Sequence, residues 1–259
     1  HHDLIANCQL HPMVSLEVLG QTLDGQDMDL LVIGDEDTAD LRLWAIARQH
    51  PGESMAEWWM EGFLGRMLDP DDALARVLRD AATFHVVPHM NPDGSFRGHL
   101  RCNATGANLN REWHEPTVER SPEVLHVRNA MDDTGVDLCL DVHGDEALPY
   151  NFIAGSEAIP GWTQRLARLL DAFKAEYAKA TPDFQTTYGY PVAPAGKANM
   201  TMCTNQVAQR FDCLAMTLEM PFKDNADLPD PIYGWSPERC GHLGRAVLGP
   251  MAAVLSELR

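Results

Sequence analysis

His50-Pro51-Gly52-Glu53 offers an imidazole and a carboxylate three residues apart in one tight turn, where both side chains can face a single cation. Hydrolytic zinc sites use three protein ligands and leave a fourth position for water, so this pair needs a third donor from elsewhere in the chain. Another histidine, His143, stands at a strand end far downstream. It follows Val136, Leu138, Leu140 and Val142, which alternate with Asp137, Cys139 and Asp141, the period of a strand. Glu219 stands in a similar run, where Leu214, Met216, Leu218 and Met220 alternate with Ala215 and Thr217. A glutamate in such a strand is rarely buried without a partner or a task. Between these points lies a polar stretch, 91–113, holding Asn91-Pro92-Asp93-Gly94, Arg97, Arg101, Asn103, Asn108, Asn110 and Arg111. Connections of that length in a compact domain are usually functional or disordered.

The elements that must hold these groups follow from periodicity. Val14 to Thr22 and Met28 to Ile33 are β-rich and joined through Asp24-Gly25, a hairpin signal. The apolar run 41–47 reads as a strand ending just before His50. From Glu53 onward Met55, Trp59, Phe63 and Met67, with Met60, Leu64 and Leu68, recur at helical spacing. A short helix over 71–79, a strand over 84–88 and turn chemistry at Asn91-Pro92-Asp93-Gly94 come next. Ser121-Pro122-Glu123 has the serine cap and first-turn proline of a helix start. A helix over 161–180, a lid-like stretch over 181–197, a helix over 199–211 and a last helix from Ser236 complete the chain. Strands alternating with helices predict a three-layer α/β/α fold, its mixed and mostly parallel central sheet carrying the hairpin on an edge.

Composition narrows the function classes. The formal net charge of −18 over 259 residues, with no basic block, argues against nucleic acid and anionic membrane as partners, since both are held by clustered Lys and Arg. No apolar run of about 18 residues marks a membrane span. Six scattered cysteines without C-x-x-C spacing, in a chain too large to depend on disulfides, point to a reducing, cytoplasmic setting. His1 and His2 are set aside from the site.

In order and type these motifs resemble the zinc metallocarboxypeptidases, and within them the cytosolic carboxypeptidase branch, over about 28–258. The His₂Glu ligand set is the one carboxypeptidase A uses. The resemblance implies one Zn²⁺ per chain held by His50, Glu53 and His143, with Glu219 as general base and Arg101 steadying the oxyanion. It implies that Asn110 and Arg111, with Arg97, bind the α-carboxylate of a peptide or protein C-terminus, glutamate being a candidate for the released residue. Relatives of this branch carry a β-rich domain before the catalytic one. Here the hairpin and core follow almost at once, so 1–259 is expected to form one catalytic domain with that upstream domain outside it. Some positions depart from the pattern. Asn108 stands where many relatives have an aspartate behind the first zinc histidine. Tyr188 and Tyr190 are the candidates for the mobile tyrosine of digestive relatives, although the spacing fixes neither and ordinary loop packing is the better account of both. Deglutamylating relatives carry Gly-Thr-x-Arg where this chain has Met200-Thr201-Met202-Cys203, leaving Lys197, Arg210 or Lys223 to meet an acidic side chain.

Two other functions share parts of this pattern. An aspartoacylase-like amidohydrolase uses the same His-x-x-Glu and Asn-Arg elements on N-acyl amino acids, and a non-catalytic binding domain would keep the clamp without turnover. The Asn-Pro-Asp-Gly stretch and the match beyond the core motifs favour the peptidase over the amidohydrolase, and three ligands with a base favour an enzyme over the binding domain.

Overall fold

The computed structural model describes residues 1–35 and 39–259. Among them, seven strands form one sheet: β1 (Val14–Gln21), β2 (Asp27–Ile33), β3 (Leu41–Ala47), β4 (Ala82–Val87), β5 (Leu138–Asp145), β6 (Phe152–Ala154) and β7 (Leu214–Pro221). Their order is β1-β2-β4-β3-β5-β7-β6. The core pairings β4/β3, β3/β5 and β5/β7 are parallel, while β1/β2, β2/β4 and β6/β7 are antiparallel. The mixed sheet with a parallel centre and the hairpin at its edge is the expected one. β6 is a three-residue strand, too short to leave a periodic signal.

Alternation along the parallel strands divides the core in two. Leu43 and Ala45 of β3, Leu138 and Leu140 of β5, and Met216 and Leu218 of β7 face one layer of helices: α2 (Met55–Met67), α3 (Ala73–Ala81), α6 (Gln164–Ala180), α8 (Pro237–Ala246) and α9 (Leu248–Val254). Trp44, Ile46, Cys139 and Ala215 face the other, built on α5 (Pro122–Thr134) and α7 (Cys203–Phe211). Helix α2 buries residues on more than one side because α8 crosses it closely. A Cβ at Gly62 would sit 2.0 Å from the Gly241 carbonyl oxygen.

Three expectations are corrected locally. Asn91-Pro92-Asp93-Gly94 is a helix start rather than a free turn: the Asn91 side chain caps α4 (Pro92–Phe96) by accepting from the Gly94 N–H at 3.0 Å. Ser121 precedes α5 but makes no side-chain cap bond; its hydroxyl instead lies 3.4 Å from the Thr117 N–H. The C-terminal helix is divided at Val247 into α8 and α9. A further helix, α1 (His2–Cys8), precedes the hairpin.

Candidate metal centre and active site

The His50–Glu53 turn leaves the C-terminal end of β3 and is fixed by its neighbours. Arg48 takes a left-handed backbone (φ 60°), and its guanidinium donates to the Pro51 carbonyl at 3.0 Å and to Glu57. The motif's glycine is required by close approach. The Gly52 N–H donates to the Leu100 carbonyl at 2.8 Å, and a Cβ there would lie 2.8 Å from that same oxygen. Gly94 is similarly confined, since its Cβ would meet Pro51 at 2.5 Å. The turn carrying two candidate ligands, the α4 start and the segment leading to Arg101 thus pack as one unit.

Within it, His50 Nδ1 lies 2.7 Å from Glu53 Oε1, and His143 Nδ1 lies 2.8 Å from Glu53 Oε2 and 3.2 Å from His50 Nδ1. These three buried residues form the one His/Cys/Asp/Glu group among the described residues whose donor atoms all lie within 4.8 Å of one another. The far nitrogens explain the orientation. His50 Nε2 bonds Asn108 Oδ1 at 2.9 Å, and His143 Nε2 bonds Asp141 Oδ2 at 2.9 Å. Asn108 Oδ1 also accepts the Asn110 backbone N–H at 3.1 Å, which fixes that amide with its oxygen toward the imidazole. Both rings therefore hold a proton on Nε2 and turn Nδ1 to a shared point, as metal-binding histidines do.

The electrostatics of that point suit a cation. Burial works to raise Glu53, but the charge and hydrogen bond of His143 outweigh it, with His50 adding, and the carboxyl falls to about 2. Burial likewise opposes charge on His143, and Asp141 and Glu53 raise it well above its ordinary value. The carboxylate is balanced by a proton that His143 Nδ1 donates to Glu53, and a bound cation would displace that proton and take both Nδ1 lone pairs. The donor set, two neutral nitrogens and a carboxylate, fits zinc.

The register of β5 and β7 sets Glu219 directly beside His143. Burial raises the Glu219 carboxyl to about 8, with Glu53 and Asp145 adding repulsion that His143 partly offsets. Its Oε2 has no hydrogen-bond partner among the described residues, and its Oε1 lies 3.1 Å from the Tyr190 hydroxyl, which also bonds Asp145. Arg101 Nη1 is 3.9 Å from Glu53 Oε1. Asn110 is anchored through its Oδ1, which accepts the Cys203 N–H at the start of α7 at 2.8 Å. Arg111 donates to the Asn110 carbonyl at 2.6 Å and is paired with no carboxylate among the described residues. Desolvation in the cavity and the like charge of Arg101 lower its pKa. His50, Glu53, Arg101, Asn110, Arg111, His143 and Glu219 thus share one cavity of about 550 Å³ with Asp145, Glu146, Tyr190 and Met202.

Arg97 is not among them, which corrects its assignment to the carboxylate site. It is exposed and makes a two-pronged ion pair with Asp24, at 2.7 and 2.5 Å, that ties α4 to the turn of the hairpin. Asp93 reinforces that junction by accepting from Thr22, Gln26 and the Asp24 N–H. Of the two tyrosines, Tyr190 reaches the cavity, while Tyr188 stacks on Tyr150 with centroids 4.3 Å apart. Lys197 lines a second cavity that shares Tyr190 and Met202 with the first, whereas Arg210 pairs with Asp132. Asp145 was not singled out from sequence, although its place two residues past His143 on the same strand is a readable signal.

Comparison with known proteins agrees with this geometry. The model of the zinc carboxypeptidase family matches residues 4–239. An uncharacterised Zymomonas mobilis protein is 56% identical over 258 residues, covering 100% of this chain and 67% of that protein. Cytosolic carboxypeptidase 6 of Caenorhabditis elegans is 28% identical over 229 residues, 82% of this chain, which spans only 48% of that relative. The structure of a Pseudomonas aeruginosa metallo-carboxypeptidase in complex with (2-guanidinoethylmercapto)succinic acid superposes with a TM-score of 0.97 at 47% identity, covering 100% of this chain and 69% of that one. With its fold and residues 4–239 matched, this chain belongs to the zinc carboxypeptidase family.

Proposed function

We propose that the protein is a zinc metallocarboxypeptidase that removes the last residue from a peptide or protein, with one zinc per chain at His50, Glu53 and His143. The observation that carries this is the convergence, in one cavity, of three metal donors, a buried carboxylate and two guanidiniums. Bound there, zinc supplies Lewis acidity toward a carbonyl and an attacking water. Glu219 takes the proton from that water and returns it to the leaving amine; the burial that raises its pKa suits it to both transfers. Arg101 donates to the oxyanion, a contribution of roughly 3 kcal/mol for one such donor. Asn110 and Arg111 receive the α-carboxylate, for which a planar guanidinium gives a two-pronged fit. That requirement confines cleavage to a chain end.

For the released residue we infer glutamate. Lys174 and Lys197 line the adjoining cavity of about 610 Å³ together with Glu157, and neither ammonium is paired with a carboxylate among the described residues. Cys203 stands where deglutamylating relatives carry arginine, so these lysines are the charges an acidic side chain would meet. The ligand of the Pseudomonas enzyme carries a guanidinium, the opposite charge, so peptides differing only in a final Glu, Leu, Lys or Arg discriminate the readings. Fastest turnover of the Glu peptide is expected, and fastest turnover of the Lys or Arg peptide would reverse the assignment. The six unpaired cysteines support a reducing, cytoplasmic location. No helix among the described residues is long and apolar enough to cross a membrane.

The catalytic assignment is tested with Glu219→Gln. Peptide hydrolysis is expected to fall roughly 10²- to 10⁴-fold with zinc retained. Unaltered hydrolysis would remove Glu219 from the base role.

A further inference from the structure

Gln49, next to the ligand His50, is fully buried and uses both ends of its amide. Its Oε1 accepts from Trp113 Nε1 at 2.9 Å, and its Nε2 donates to Asp141 Oδ2 at 2.7 Å. An indole N–H can only donate, so the amide cannot be turned the other way. Asp141 Oδ2 is the same oxygen that holds His143 Nε2 at 2.9 Å, and Asp141 Oδ1 has no partner. The buried carboxylate behind the zinc ligand therefore rests on two donors, one of which is Gln49. Trp113, also fully buried, closes the loop bearing Asn108, Asn110 and Arg111. Its backbone N–H donates to the Thr201 carbonyl at 3.1 Å, beside Met202 of the cavity wall. The Gln49 carbonyl in turn accepts from Asn91 Nδ2 at 2.9 Å.

We propose that Gln49 is a positioning residue that sets the zinc ligand His143 and the carboxylate-binding loop in register, through Asp141 on one side and Trp113 on the other. The loop half of this inference rests on the carboxypeptidase reading, and the metal half does not. Replacing the amide with an apolar side chain of similar size strands two buried groups. Asp141 loses a donor, so it holds the His143 ring less firmly, and the Trp113 N–H loses its acceptor, which frees the loop.

The test measures zinc affinity by competition with a chelator, separately from kcat and KM on a C-terminal peptide. Gln49→Leu is expected to weaken zinc several-fold, less than the roughly 10- to 100-fold usual for losing a partner bonded directly to a ligand, and to raise KM several-fold at saturating zinc. Trp113→Phe keeps the ring bulk but removes the N–H. It is expected to raise KM with zinc affinity unchanged, while Asp141→Asn weakens zinc with KM at saturating zinc unchanged. A folded Gln49→Leu protein with wild-type zinc affinity and KM overturns the proposal, as does Trp113→Phe with wild-type KM. If Gln49→Leu does not fold, the two single-arm variants decide. Should the wild-type protein turn over no peptide, the zinc arm still reads the metal half and the failure falls on the catalytic reading.

Discussion

Each imidazole at the candidate metal centre is oriented from behind by a different acceptor. His50 leans on the neutral amide of Asn108 and His143 on the carboxylate of Asp141, so the two nitrogen donors differ in basicity although they face the same point. In front of them, Arg111 is a cation without a carboxylate partner among the described residues, held off by Arg101 and partly stripped of water. Such a group gains most from an anion that satisfies its fork. Arg111→Ala is expected to raise KM about 10- to 100-fold with a smaller change in kcat, the loss of a charge-assisted contact worth roughly 1.5–3 kcal/mol. Arg111→Lys is expected to recover only part of that, because an ammonium cannot grip both oxygens in one plane. Steady-state kinetics on one peptide decides this, and an unchanged KM in Arg111→Ala would place the carboxylate elsewhere. At this scale His50, Glu53, His143 and Glu219 stand out in the sequence because chemistry restricts which residue types could serve there, and the structure brings the four into one cavity. The role of Arg97 was not legible, since an arginine that pairs with Asp24 looks no different in sequence from one that waits for a ligand.

The loop over 97–113 depends on α5 for its shape. Asn103 is its hub. Its Oδ1 accepts from Thr105 and from the Ala107 N–H, and its Nδ2 donates to the Arg120 carbonyl and to both oxygens of Glu123. Burial raises the Glu123 carboxyl to about 7, and the nearby charges of Asp93 and Asp24 add to the shift. The folded protein therefore binds this proton more tightly than the unfolded chain, whose glutamate titrates near its ordinary value of 4.5. The stabilisation is fully present below that value and is lost as pH rises through about 7. Glu123→Gln, which mimics the protonated group, is expected to flatten the decline in urea-unfolding stability between pH 5.5 and 8 by about 1–3 kcal/mol. A variant with the wild-type pH slope would show that Glu123 is not the titrating group. The strands and most helices were legible because their apolar periods are regular. The loop was readable only as a polar run, since its form comes from Asn103, Asn108 and Gln49 bonding to residues far away in sequence. Tyr190 illustrates the same limit: its contacts with Asp145 and Glu219 span 45 and 29 residues and leave no local pattern.

Over the whole molecule, the parallel strands β3, β5 and β7 end at the same edge of the sheet, and ligands of open α/β sheets bind outside those carboxyl ends. β3 delivers His50 and Glu53, β5 delivers His143, and β7 delivers Glu219, each at or just beyond its last residues. The chain crosses one helical layer or the other between these strands, which is why donors 93 residues apart in sequence meet. The cavity sets Arg101 and Arg111 among the carboxylates of Glu53, Asp145, Glu146 and Glu219, so in a molecule of net charge −18 any attraction for an anion is local to those two guanidiniums.

The central claim is that His50, Glu53 and His143 share one zinc ion. X-ray diffraction from crystals of the zinc-loaded protein, recorded on both sides of the zinc absorption edge, tests it most directly. One anomalous peak per chain is expected, about 2.0–2.2 Å from His50 Nδ1, His143 Nδ1 and a Glu53 carboxylate oxygen. Catalytically active crystals that show no peak there, or a zinc bound away from these three residues, would contradict it.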